Sequence, residues 1–170
     1  KKLTPLLSLA LALGLNSVSL PQENASAPGF SVNPGGTAGC YATIGAAVSA
    51  AVAGDTITVA AGTYHENVLV NKSLTLSGNG AVIDGNGAGV VVVITANNVT
   101  LEGFTIQHSG TDPQTHAGVG LLWAEGCTVR NNTIQNNIHG IALMSAKNNL
   151  ISSNTISANT VYGLVLEAYA

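Results

Sequence analysis

Charge is scarce in this 170-residue chain: 8% of residues are Asp, Glu, Lys or Arg, and Lys plus Arg number five. Five cations cannot track a phosphate backbone, which excludes a nucleic-acid partner. The two cysteines are too few for a disulfide-stapled mini-domain. Aromatics make up 4%, with one tryptophan, so any core must be aliphatic. No apolar run reaches the roughly 18 residues that a spanning helix needs. The hydrophobic share of 46% excludes a wholly disordered chain. The length suits one domain with a core of useful size.

Glycine (20) and asparagine (17) are plentiful instead. With the many Thr and Ser, they suit a β-rich, turn-rich, extracellular protein. Lys1 and Lys2 precede the short apolar run Leu6–Leu15. That pattern reads as a secretory signal peptide over residues 1–27, against the alternative of a buried core helix. Cleavage after Ala27 fits the small-x-small rule but places Pro28 next; cleavage after Ser19 is the other option. Residues 28–41 are rich in Pro, Gly and Ser and read as a linker. The expected location is therefore secreted, cell-surface or periplasmic, with no transmembrane span.

Ile44, Ala47, Val48 and Ala51 fall on one helical face, with Thr43 placed as N-cap and Gly54 as the closing glycine. The spacing predicts one helix over 44–53. Beyond Gly54 the period becomes two: Thr56–Val59, Ser73–Leu76, Val99–Leu101, Phe104–Ile106 and Thr133–Ile134 read as short strands ending at Gly or Asn. Cys127–Ile134 returns as Asn149–Ile156, a shift of 149 − 127 = 22. Gly118–Leu121 returns as Gly140–Leu143 at 22, and again as Gly163–Leu166 at 23. Val99–Ile106 precedes Cys127–Ile134 by 28, the excess being an insertion around Gly110–His116.

A unit of that length cannot bury its own apolar face, but stacked copies can. The sequence thus predicts an all-β, right-handed, single-stranded parallel β-helix over residues 42–170, its N-terminal end capped by the helix. Equivalent residues then stack about 4.8 Å apart: Ile106, Ile134 and Ile156 inside, Thr105, Thr133 and Thr155 outside, Asn132 on Asn154. Cys40 and Cys127 fall several rungs apart and are expected as free thiols, Cys127 buried. The final strand has no C-terminal cap in sequence, which reads as truncation.

Ala53–Tyr64, Asn71–Leu76 and Val82–Gly85 together resemble the opening coils of pectin-lyase-like β-helix proteins. The later Asn-Asn-Thr-Ile blocks resemble NosD-type and carbohydrate-binding/sugar-hydrolase (CASH) repeats. That resemblance covers about residues 41–170. It implies the fold, and three possible activities: polysaccharide lyase or hydrolase chemistry, copper-enzyme maturation in the periplasm, and surface binding.

Lyase chemistry needs carboxylates grouped around calcium, and Asp84 and Asp112 stand apart in sequence. Hydrolase chemistry needs two carboxylates at catalytic separation. Glu102 stacks on Arg130, and Glu125 on Lys147, which reads as charge pairing between rungs. His108, Asp112 and His116 flank or lie in the insertion and could hold copper or zinc, or simply form a polar loop. His139 stacks near Tyr162, an outward pair that could meet a sugar ring. Trp123 is either a sugar platform or core. The resulting candidate ligand-binding set is Trp123, His139, Tyr162, Glu102 and Arg130. The sequence reading is an exported carbohydrate-associated binding or scaffold module whose partner is a polysaccharide or cell-envelope glycan. No cofactor is required by it; copper or calcium belongs to the alternatives.

Overall fold

The structure, a computed structural model, describes residues 29–37 and 39–167. The signal-peptide reading of residues 1–27 lies outside the described residues. Among the described residues sixteen strands, β1–β16 in chain order, and one helix form a right-handed parallel β-solenoid. The first sheet contains β1 (Phe30–Val32), β2 (Thr56–Val59), β5 (Thr75–Gly78), β8 (Thr100–Glu102), β11 (Thr128–Arg130) and β14 (Leu150–Ser152). The second holds β3 (Gly62–His65), β6 (Ala81–Asp84), β9 (Thr105–Gln107), β12 (Thr133–Gln135) and β15 (Thr155–Ser157). The third holds β4 (Val68–Val70), β7 (Val92–Ile94), β10 (Ala117–Leu122), β13 (His139–Met144) and β16 (Tyr162–Glu167).

Alternation sends every second side chain inward. Ile57, Leu76, Leu101 and Val129 stack in the first sheet, and Ile83, Ile106 and Ile134 in the second, all fully buried. Ile106, Ile134 and Ile156 share one column, as their spacing predicts. The asparagines do two jobs. Asn86, Asn98, Asn131, Asn136 and Asn148 sit at corners with φ between 53° and 56°, the left-handed region that asparagine tolerates. Asn97, Asn132, Asn137, Asn149, Asn154 and Asn159 each bond the backbone of an adjacent coil through the side-chain amide. Gly103, at φ 76°, needs its missing Cβ: one there would collide with the Gly78 carbonyl.

Part of the expected linker is strand. Phe30–Val32 pairs in parallel with Ile57–Val59, and Tyr41 bridges back to Val32. Val32 is buried, which anchors this edge despite the Pro and Gly around it. The helix α1 runs Ile44–Ala50, three residues shorter than its apolar pattern. Thr43 caps it by accepting from Ala46 N at 3.2 Å. The Glu66 carboxylate accepts from Ile44 N and Gly45 N at 2.8 and 2.9 Å. Lys72 Nζ donates to the carbonyls of Val48, Ser49 and Ala51 at 2.9, 2.8 and 2.7 Å. A negative group at the helix start and a positive one at its end both complement the helix dipole. A seven-residue helix is unstable alone; this one buries Ile44, Ala47 and Val48 over the N-terminal end of the solenoid.

The outer faces of the sheets differ. The first presents the column Thr58, Ser77, Glu102, Arg130, Ser152. The second presents His65, Asp84, Gln107, Gln135, Ser157 beside a column dominated by threonine. The third carries the column Leu69, Val93, Gly120, Ala142, Val165, of which Gly120 is buried. Two faces are polar and one is apolar.

Candidate functional site

Trp123 follows the last residue of β10 and turns the chain from the third sheet toward the first. Its φ is 53° and it is 70% exposed. Ser145 holds the same corner one coil on, at φ 49°. Trp123 N donates to Met144 O at 2.9 Å, which fixes the corner to that coil. A left-handed conformation costs an L-residue about 1–2 kcal/mol, and glycine would avoid that cost. An exposed indole recovers little of it through burial. Of the two sequence readings, core is therefore excluded.

His139 and Tyr162 do stack, with ring centroids 5.5 Å apart and planes 9° apart. Tyr162 is 57% exposed, but His139 is only 6% exposed. The insertion after β9 lies over it, and His139 Nε2 contacts Pro113 O at 2.8 Å. A carbonyl only accepts, so Nε2 carries the proton, and the buried Nδ1 has no hydrogen-bond partner. The sequence could not show this cover, because the insertion has no counterpart in the other coils.

Glu102 and Arg130 pair as their spacing predicts, with Arg130 Nε and Nη2 both 2.7 Å from Glu102 Oε2. They end β8 and β11, at the opposite end of these strands from the Trp123 corner. Glu125 and Lys147 share a backbone bridge, but the Glu125 carboxylate accepts from Asn148 Nδ2 at 2.8 Å. The expected ligand-binding residues thus occupy separate corners instead of one pocket.

His108, Asp112 and His116 also part ways. Asp112 organises the insertion, accepting from Gln114 N and Thr115 Oγ1 at 2.9 and 2.8 Å. These bonds outweigh a small desolvation effect and hold its carboxyl below the ordinary range. His116 Nδ1 accepts from Asp112 N at 3.1 Å. His108, at φ 57°, places Nδ1 2.9 Å from Asp84 Oδ2. The same oxygen accepts from Gln107 Nε2 at 3.0 Å, and Oδ1 accepts from Asn86 N at 2.8 Å. Burial raises the Asp84 carboxyl, but the bonds from Gln107, Asn86 and His108 prevail and hold it below its usual range. The sequence reading missed this cluster. Its signal was there: Val82-Ile83-Asp84 aligns with Thr105-Ile106-Gln107 at a shift of 23, which brings His108 alongside.

Cys40 and Cys127 are free thiols. Cys127 is buried, donates to Ala96 O at 3.3 Å, and is pushed above the ordinary thiol range by desolvation.

Comparison with known proteins gives a family and a fold. A family model described as "Periplasmic copper-binding protein (NosD)" matches residues 48–170. A cell surface glycoprotein of Methanothermus fervidus is 44% identical over 85 residues. The match takes in 49% of this chain and 13% of that protein, so the chain spans a small part of its curated relative. Two solved structures of pectin methylesterase share the fold. One, in complex with a hexasaccharide, has a TM-score of 0.51 and 14% identity, covering 68% of this chain and 48% of that one. The other, an aspartate-to-alanine mutant with another hexasaccharide, has a TM-score of 0.51 and 15% identity, covering 73% and 49%.

The family description names copper, and the described residues do not fit that ion. Among them no three His, Cys, Asp or Glu side chains come together. The most enclosed carboxylate, Asp84, has both oxygens taken up by N–H donors from Asn86, Gln107 and His108. Among the described residues no helix is long and apolar enough to cross a membrane. Since the family model takes in 123 of the 170 residues (170 − 48 + 1 = 123), the chain belongs to the NosD family of β-helix proteins.

Proposed function

We propose that this chain is a carbohydrate-associated binding or scaffold module that works outside the cytoplasm, at the cell surface or in the periplasm. One observation carries the reading: Trp123, exposed at a corner whose backbone favours glycine. An indole kept at such a position serves something outside the chain, and its flat apolar face suits the C–H face of a sugar ring. The family's and the relative's descriptions, periplasmic and cell-surface, support the location. The sugar-bound solved structures support a glycan partner by analogy of fold.

Affinity electrophoresis through gels containing neutral or acidic polysaccharides tests the proposal. Retarded mobility without loss of the polymer is expected, and Trp123→Ala abolishes it. Unchanged mobility in every gel overturns the reading.

A further inference from the structure

The outer face of the third sheet is unlike the other two. From Leu69 through Val93, Gly120 and Ala142 to Val165, five registered positions carry no charge and no hydrogen-bonding side chain. The parallel column adds Leu122 and Met144 and meets an acid only at Glu167. Its middle positions are Gly120 and Ala142; Gly120 is buried, with Val90 lying against it where a Cβ would sit 3.3 Å from the valine. The strands β10, β13 and β16 are the longest in the solenoid, six residues each. At the usual strand rise and spacing, the face is roughly 20 Å long over β10, β13 and β16 but only roughly 10 Å long over the three-residue strands β4 and β7. Trp123 stands directly at its border, following Leu122.

An apolar face between two polar ones is a candidate interaction site. Charge decides its occupant. A polyuronate needs cations to meet it. Lys72 is engaged by three helix carbonyls and Arg130 by Glu102, which among the described residues leaves Lys147, two residues past the Ser145 corner, as a single cation for a polyanion. A neutral, β-linked glycan instead presents a flat ribbon whose axial C–H groups form an apolar side and whose hydroxyls project along the rims. We infer that the third-sheet face, with Trp123 at its edge, binds the flat side of such a neutral glycan. This rests on the binding-module reading and narrows it to one face and one substrate class.

Sedimentation with microcrystalline cellulose and with chitin, set against gels containing polygalacturonate, tests it on the purified chain. The chain is expected to sediment with a neutral polymer and to run freely through polygalacturonate. Trp123→Ala, Ala142→Arg and Val93→Lys should each weaken sedimentation at least about tenfold. Thr133→Lys, on the second sheet, should leave it unchanged. Ala142 and Val93 point outward, so both variants should keep the parent melting curve, which confirms folding.

Retardation by polygalacturonate alone overturns this inference and leaves the binding module standing. So does neutral-glycan binding that folded Ala142→Arg and Val93→Lys both retain. No binding to any polymer overturns both readings. If the chain is dimeric by light scattering, binds no glycan, and becomes monomeric on Ala142→Arg, the face belongs to a second copy and the inference falls.

Discussion

Replacing Asn132 by alanine removes a side chain that is 2% exposed and bonds in two directions. Its Oδ1 accepts from Phe104 N at 3.0 Å. Its Nδ2 donates to Leu101 O at 2.9 Å and to Asn154 Oδ1 at 3.1 Å. Without it, a buried N–H and a buried carbonyl of the preceding coil lose this partner. A buried polar group left unmatched costs about 1–3 kcal/mol, so two cost about 3 kcal/mol even if one partly relaxes. A domain of this size loses about 2–4 °C of Tm per kcal/mol. Thermal unfolding followed by circular dichroism should therefore show a drop of about 6–12 °C. Gln114→Ala, on the exposed insertion, is the control and should match the parent. Asn132→Asp keeps the shape but turns a carboxylate oxygen toward the Leu101 carbonyl, so at neutral pH it should destabilise at least as much. If Asn132→Ala melts within about 2 °C of the parent, the amide ladder does not hold the coils together and the reasoning fails.

Lys72→Met leaves three carbonyls at the end of α1 without their cation; about 1–2 kcal/mol of local stability should go, seen as faster hydrogen exchange at Ala47–Ala50 with the distant coils unchanged. Asp84 is held below its ordinary range when folded, so its contribution is present above about pH 4 and is lost as the pH falls through the folded value. Tm should accordingly fall less on acidification in Asp84→Asn than in the parent, and identical acid limbs would contradict the bonding described. Alkylation with iodoacetamide should modify Cys40 in the native chain and reach Cys127 only after unfolding, as peptide mass mapping would show.

Register was the most legible property of the sequence. Shifts of 22, 23 and 28 residues correctly pair Thr133 with Thr105 and Thr155, and Glu102 with Arg130. They are legible because a parallel solenoid repeats the same environment at each coil, so like residues recur. What escaped depends on contacts without a repeat. Phe30–Val32 is too short to show a period, and becomes strand only because β2 offers it an edge. The end of α1 is set by Lys72, 21 residues beyond Ala51, and not by the apolar pattern that continues to Ala53. His139 is buried by an insertion found in one coil alone. At Trp123 the strand period breaks, and sequence could not say whether the indole turned in or out.

The amide ladder between coils has a consequence for size. Asn132, Asn137 and Cys127 donate their backbone N–H groups to the side-chain oxygens of Asn154, Asn159 and Asn149 in the next coil. A duplicated block of 22 residues inserted here would meet the same donors below and the same acceptors above. Nothing in the joint would need to be reinvented, whereas lengthening a globular core demands new packing throughout. Coil number can thus drift by unequal recombination, each added copy extending the molecule's reach by about 4.8 Å.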